Sequence, residues 1–222
     1  QLGEELEKLS NVIPGTVNEA EVGVIFDWDN YWALEYTSGP SISLKYVDQI
    51  HRYYRYFYDH NMGVTMIPVD ADFSKYKMIV APVLYMVKPG MKEALEKYVK
   101  NGGILVTTYM SGIVGESDNV YLGGYPGPLK EMAGIWVEEI DALAPEQYNI
   151  VTFKDGSQSK CKIVCDLMHL EGAEALGEYA EDFYAGMPAV TSHDYGKGKL
   201  YYIGSCMEVV GTDKILTMAA ED

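Results

Sequence analysis

Acids and aromatics crowd the stretch EVGVIFDWDNYWALEY, residues 21–36, where Asp27 and Asp29 flank Trp28 and are followed by Asn30, Tyr31 and Trp32. Paired carboxylates are how glycosidases protonate a leaving oxygen and attack or hydrate the sugar, with the two groups about 5–9.5 Å apart. Asp27 and Asp29 have one residue between them and can face the same way on extended chain. Glu138 and Glu139 are adjacent, point in opposite directions, and do not converge on one bond. Carboxylates just past a strand also cap loops and bind backbone N–H groups, so neither pair is assigned a catalytic role. Ser111 is the other candidate, a nucleophile if a histidine reached it. His51, His60, His169 and His193 lie in no companion motif for it, and a serine that shapes a loop is the plainer reading.

Other chemistries are poorly served. No GxGxxG or Walker loop follows any apolar run, and the turn after Phe26 carries acids where a phosphate needs glycine and free N–H groups. No cofactor is implied. Cys161 and Cys165 form a CxxxC pair without a second ligand pair, short of the four ligands that structural zinc takes. On a strand the two point to the same face, as buried, reduced thiols suited to a cytoplasmic setting.

The elements that position these residues follow from apolar spacing. Val22–Phe26 reads as a strand buried on both faces, with an aromatic loop after it. Ser38-Gly39-Pro40 is a breaker, and a helix is expected from about Ser41 to His60 with Val47, Ile50, Tyr54, Phe57 and Tyr58 as its stripe. Tyr and Arg interleave there, Arg52 and Arg55 among Tyr46, Tyr53 and Tyr56, the pattern of a helix with half-buried Tyr rings. Val64–Ile67, Met78–Val83 and Ile104–Tyr109 read as further strands, with a helix opened by Pro89 and stopped at Asn101-Gly102-Gly103. Met110–Leu129 has no period and seven Gly or Pro residues, and reads as a long loop at the carboxyl edge of the sheet. Beyond Asp141 short β-like pieces follow one another, the last two joined by a hairpin at Gly196-Lys197-Gly198. The fold class is therefore α/β: an open, mostly parallel sheet with helices on both faces, flavodoxin-like or class I glutamine amidotransferase-like, with an antiparallel extension in the C-terminal third. Amidotransferase-like domains hold a Cys at the sharp turn after a parallel strand; the turn after Thr108 reads Tyr109-Met110-Ser111-Gly112 and has none. In such sheets ligands meet the chain past the carboxyl ends of strands, where Asp27 and Trp28 sit.

Composition narrows the classes. The 222 residues suit one large domain, or one with a small appendage, and 48% hydrophobic content supplies a sizeable core. A net charge of −16 repels phosphate backbones, which disfavours nucleic acid. The longest apolar runs fall far short of the roughly 20 residues of a membrane span, and no basic stub precedes an apolar segment as in a signal peptide. Gln1 is no initiator Met, so the chain is expected to be cut from something longer. Residues 1–20 then read as an exit helix with Leu2, Leu6 and Leu9 at helical spacing, plus a linker, and 21–222 as the domain proper.

FDWDNYWALEY, preceded by that helix and linker, is similar to the start of the middle domain of glycoside hydrolase family 42 β-galactosidases. The resemblance continues through SISLKYVDQIHRYYRYFYDHNMGVTMIPVDADFSKYKMIVAPVLYMV and KYVKNGGILVTTYMSGIVGESDNVYLGGYPGPL to the closing AVTSHDYGKGKLYYIGS. It implies a non-catalytic trimerisation domain of a retaining β-galactosidase whose catalytic Glu pair lies in a (β/α)₈ barrel. Such a barrel takes about 250 residues and does not fit in this chain. It further implies a homotrimer, with a galactoside met only through the parent enzyme. Asp27, Trp28, Asp29, Asn30, Tyr31 and Trp32 become candidates for the interface or for a neighbour's sugar pocket. Two alternatives stay open: a stand-alone amidotransferase-like hydrolase with Ser111 as nucleophile, and a galactoside-binding module using Trp28 and Trp32.

Overall fold

All four residues of β1 (Val22–Ile25) are buried, as are all four of β3 (Met78–Ala81), which is what strands covered on both faces require. The computed structural model describes residues 2–16, 19–37 and 39–222. Gln1 at the head of the expected first helix, Val17 and Asn18 of the linker, and Ser38 of the breaker lie outside the described residues. β2 (Val64–Ile67), β1, β3, β4 (Ile104–Thr108) and β10 (Gly198–Ile203) lie side by side in that order and run parallel. The alternating pattern accounts for β1 to β4 of this unit; β10, expected in the antiparallel extension, instead runs parallel to β4 and pairs antiparallel only with β9.

The C-terminal third extends the same sheet with antiparallel strands. β9 (Pro188–Tyr195) pairs with β10 through a two-residue turn at Gly196 and Lys197. Gly196 has φ +67, and a Cβ there would meet the Lys100 backbone at 2.6 Å, so the turn takes glycine. Beyond β9 come β8 (Glu174–Tyr179), β6 (Asn149–Phe153), β7 (Gln158–Leu170) and β11 (Ser205–Met207), while β5 (Ile135–Ala142) pairs with β7. Within β7 the ladder slips at Ile163, whose φ is +71. That bulge brings the buried Cys161 and Cys165 sulfurs to 3.8 Å, and both remain free thiols inside the core as expected.

Helices cover both faces. α3 (Tyr46–Asp59) and α6 (Val209–Glu221) pack on one face, and α4 (Met91–Lys100) and the short α5 (Lys130–Ala133) on the other. The expected stripe on α3 is corrected. Its buried residues are Tyr46, Gln49, Ile50, Tyr53, Tyr56 and Phe57, while Val47 and Tyr58 are exposed. Tyrosine decides the face because a buried ring needs only one partner for its hydroxyl. Tyr46 donates no proton to Asp27 but accepts from its N–H at 3.1 Å, and Tyr56 meets Thr217 at 2.7 Å. The helix also begins at Tyr46 rather than Ser41. α1 (Leu2–Lys8) buries no residue of its own.

Candidate functional site

The aromatic stretch is a helix, not a loop: α2 runs Trp28–Tyr36. Asp27 makes it one. Its backbone is extended and its Oδ2 accepts from the Asn30 N–H at 3.4 Å and from Asn30 Nδ2 at 2.8 Å, capping the first turn. Its Oδ1 meets Lys88 Nζ at 2.7 Å, and Lys88 also reaches Asp29 Oδ2 at 2.6 Å. Burial works to lower the Lys88 ammonium, but the bonds and charges of the two aspartates overcome it and hold it above its ordinary value. Asn30 is fully buried, and its Oδ1 accepts from the Met86 N–H at 2.7 Å. Lys88, Asp27, Asn30 and Met86 thus form one chain of bonds tying the head of α2 to the segment after β3. Asp27 and Asn30 are structural, and Asp27 and Asp29 share one cation rather than flanking a substrate bond.

The large rings go elsewhere. Trp28, Trp32 and Tyr36, four residues apart on α2, are 60%, 49% and 84% exposed. Trp28 is held edge-on by Phe26 at 5.0 Å and Tyr31 at 6.0 Å, and its ring lies 6.0 Å from that of Trp32. Tyr31 turns inward, toward Tyr46. Beside Trp28 is a cleft of about 590 Å³, lined by Phe26, Pro68, Asp70, Lys88 and Met91. It lies where the chain leaves β1 toward one side of the sheet and β3 toward the other, the usual ligand position in such sheets.

The long loop after β4 stands at the same edge and is pinned. Gly112 N–H donates to Leu84 O at 2.8 Å, Val87 N–H to Val114 O at 3.0 Å, and the Tyr121 hydroxyl to Val87 O at 2.8 Å. Met110 has φ +60, the left-handed residue that nucleophile-bearing turns use, yet here it is a buried methionine. Ser111 is fully buried; its Oγ accepts from the Leu84 N–H at 3.1 Å and shares a hydrogen bond with Thr107 at 2.9 Å. Three of the four histidines are engaged elsewhere, His193 with Met132 O, His169 with Glu138 and His60 with Tyr56 O, and the fourth, His51, is exposed on α3. Ser111→Ala should therefore cost about 1–3 kcal/mol in a denaturant titration, by stranding the Leu84 N–H. A serine-directed phosphonate should not label the native chain. Glu138 and Glu139 are both exposed on β5, Glu138 at the bulge beside His169, and form no site with a second acid.

Sequence reasoning passed over Asp166. It lies fully buried on β7, with Oδ2 accepting from the Tyr202 hydroxyl at 2.7 Å and Oδ1 without a partner at hydrogen-bond geometry among the described residues. Burial pushes its carboxyl up to about 7; the Tyr202 hydroxyl and, electrostatically, the Met110 amide pull back only part of the way. The clue was an acid inside the apolar run Ile163–Met168.

Residues 20–222 match the family model described as "Beta-galactosidase trimerisation domain". The chain belongs to that family. This trimerisation domain is 50% identical over 214 residues to the β-galactosidase LacZ of Lactobacillus acidophilus, covering 96% of the chain and 32% of that relative. It is 51% identical over 210 residues to the β-galactosidase Pbg of Clostridium perfringens, covering 91% of the chain and 30% of the relative. The crystal structure of a β-galactosidase from Bacillus circulans sp. alkalophilus superposes with a TM-score of 0.94 at 45% identity, over 99% of this chain and 33% of that one. The trimerisation domain thus spans about a third of the length of the relatives it matches.

Proposed function

We propose that this domain assembles three copies of a β-galactosidase. The hydrolysis of terminal β-D-galactosides, by a retaining mechanism, falls to a Glu pair in a barrel outside this chain. One observation carries the reading. At the ligand-binding edge of the sheet the polar groups are bound to one another, Asp27 to Lys88 and Asn30, Ser111 to Leu84 and Thr107. Two tryptophans meanwhile stand exposed on a capped helix. Large aromatics held rigid on a surface suit an interface. We assign Trp28 and Trp32, with Asp29 beside them, to the assembly edge, where they would also border a neighbour's sugar pocket.

Residues 1–20 are the exit from the preceding barrel, and 21–222 the module. The start of the family match at residue 20 and the exposed Leu2, Leu6 and Leu9 of α1 support that division. Three buried free cysteines support a reducing, cytoplasmic setting. No helix among the described residues is long and apolar enough to cross a membrane.

The test takes the pure 222-residue chain. It should leave a chromogenic galactoside unhydrolysed and sediment as a trimer as its concentration rises. Robust turnover would defeat the non-catalytic reading, and a strict monomer at high concentration would defeat self-assembly through this domain.

A further inference from the structure

A closed ring of three copies cannot be built from one self-complementary patch. Three-fold symmetry makes the contact head-to-tail, so one patch of each copy meets a different patch of the next. The α2 ridge of Trp28, Trp32 and Tyr36 is one patch. A groove of about 860 Å³ between the tail of α3 and the head of α6 is a second, lined by His51, Arg52, Arg55, Tyr58 and Val209 among others. We infer that the α2 ridge of one copy docks into the α3–α6 groove of the next. This inference rests on the trimer reading above.

Position is the first support. α2 packs on α3 and α3 on α6, so the three helices form one layer with α3 in the middle. The Asp27 N–H bonded to the Tyr46 hydroxyl fixes α2 to the head of α3, at the carboxyl edge of the sheet. The groove flanks residues 51–60, the tail of the same helix, on its α6 side. Ridge and groove are therefore separate patches of the layer, as the two halves of a head-to-tail contact require.

Chemistry is the second. Arg52 and Arg55 are the only arginines in the chain, and both line this groove in a protein of net charge −16. The ridge carries two of the three tryptophans. A guanidinium is attracted to the face of an indole, and Trp, Tyr and Arg anchors on one partner tend to meet such anchors on the other. Arg52 is fixed by donating to the Met207 carbonyl, and Arg55 is steadied by Asp59 at 3.0 Å. Tyr58 stands 70% exposed at the rim. The groove is concave and the helix ridge convex.

Chains with one accessible thiol decide it, because the three native cysteines are buried. Trp32→Cys and Tyr58→Cys chains, mixed and treated with a flexible bis-maleimide, should give a covalent pair. Either variant alone should give none, and a chain carrying both changes should give linked trimers. In parallel, Arg55→Ala with Tyr58→Ala, both on the surface, should raise the trimer dissociation constant at least tenfold by sedimentation. Trp32→Cys linking to itself as well as the mixture does would overturn the head-to-tail contact. A wild-type trimer indifferent to the Ala pair would overturn this contact while leaving trimerisation standing. A wild-type monomer would overturn both.

Discussion

Asp166→Asn should flatten the pH dependence of stability, shifting the difference between wild type and variant by about 4 kcal/mol between pH 4 and pH 8. The carboxyl is held at about 7 against an ordinary 3.8, so the folded state keeps its proton where the unfolded chain has lost it. Between those values the native state binds the extra proton, and stability falls as pH rises. Above about pH 7 the loss is complete. Asparagine carries no charge to bury and keeps an acceptor for the Tyr202 hydroxyl, at the cost of one amide without partners, roughly 1–2 kcal/mol. The variant should then be slightly weaker than wild type at pH 4 and stronger at pH 8. Melting temperatures measured across that range should diverge by roughly 10 °C for a domain of this size. Parallel curves would mean that the carboxyl is ionised in the fold throughout. The site matters because the Tyr202 hydroxyl also lies near the Ser111 amide, and the Met110 amide near the carboxyl. Acid and phenol together support, from beneath, the left-handed turn that anchors the long loop.

How far the sequence shows this fold depends on what kind of signal each residue leaves. β1 and β3 were legible because continuous apolar runs between turn residues have few other uses, and the Gly196-Lys197-Gly198 hairpin because its turn requires glycine. α2 was not legible. Its buried residues, Asn30 and Leu34, are one amide and one leucine, and its largest apolar rings point outward. A pattern based on apolar residues therefore finds no inner face. What makes it a helix is the Asp27 cap, and a cap is indistinguishable in sequence from an acid at a strand end. The same ambiguity turned the face of α3, where tyrosines rather than Val47 and Tyr58 pack inward. At the site, the sequence picked out the right residues without their roles. Asp27 and Asn30 act inward as bracket, Trp28 and Trp32 outward as surface. Asp166 escaped because its meaning lies in Tyr202 and Met110, 36 and 56 residues away in the chain.

Asp27→Ala should destabilise the domain by about 3 kcal/mol and weaken its assembly as well. Removing the carboxylate strips α2 of its cap, worth about 1 kcal/mol. It also strands Asn30 Nδ2, fully buried, and takes from Lys88 the more buried of its two acids, together about 2 kcal/mol more. Asp27→Asn separates the two parts: the amide oxygen still caps α2 and only the charge facing Lys88 is lost, so about 1 kcal/mol should go. Urea titrations of both variants give the comparison. An Asp27→Ala chain within 0.5 kcal/mol of wild type would show that the Lys88–Asp27–Asn30–Met86 chain holds nothing the rest of the sheet does not already hold. The consequence for assembly follows from where the bracket sits. Trp28 is the first residue of α2 and Trp32 lies one turn on, so a frayed first turn releases Trp28 from the edge-on contacts with Phe26 and Tyr31 that set its direction, and Trp32 from the Trp28 ring it packs against. Under conditions where the Asp27→Ala chain is still fully folded, its trimer should dissociate at lower dilution than the wild type, with Asp27→Asn between them. If the folded variant sedimented like wild type, α2 would be an ordinary surface helix and the assembly edge would have to lie elsewhere.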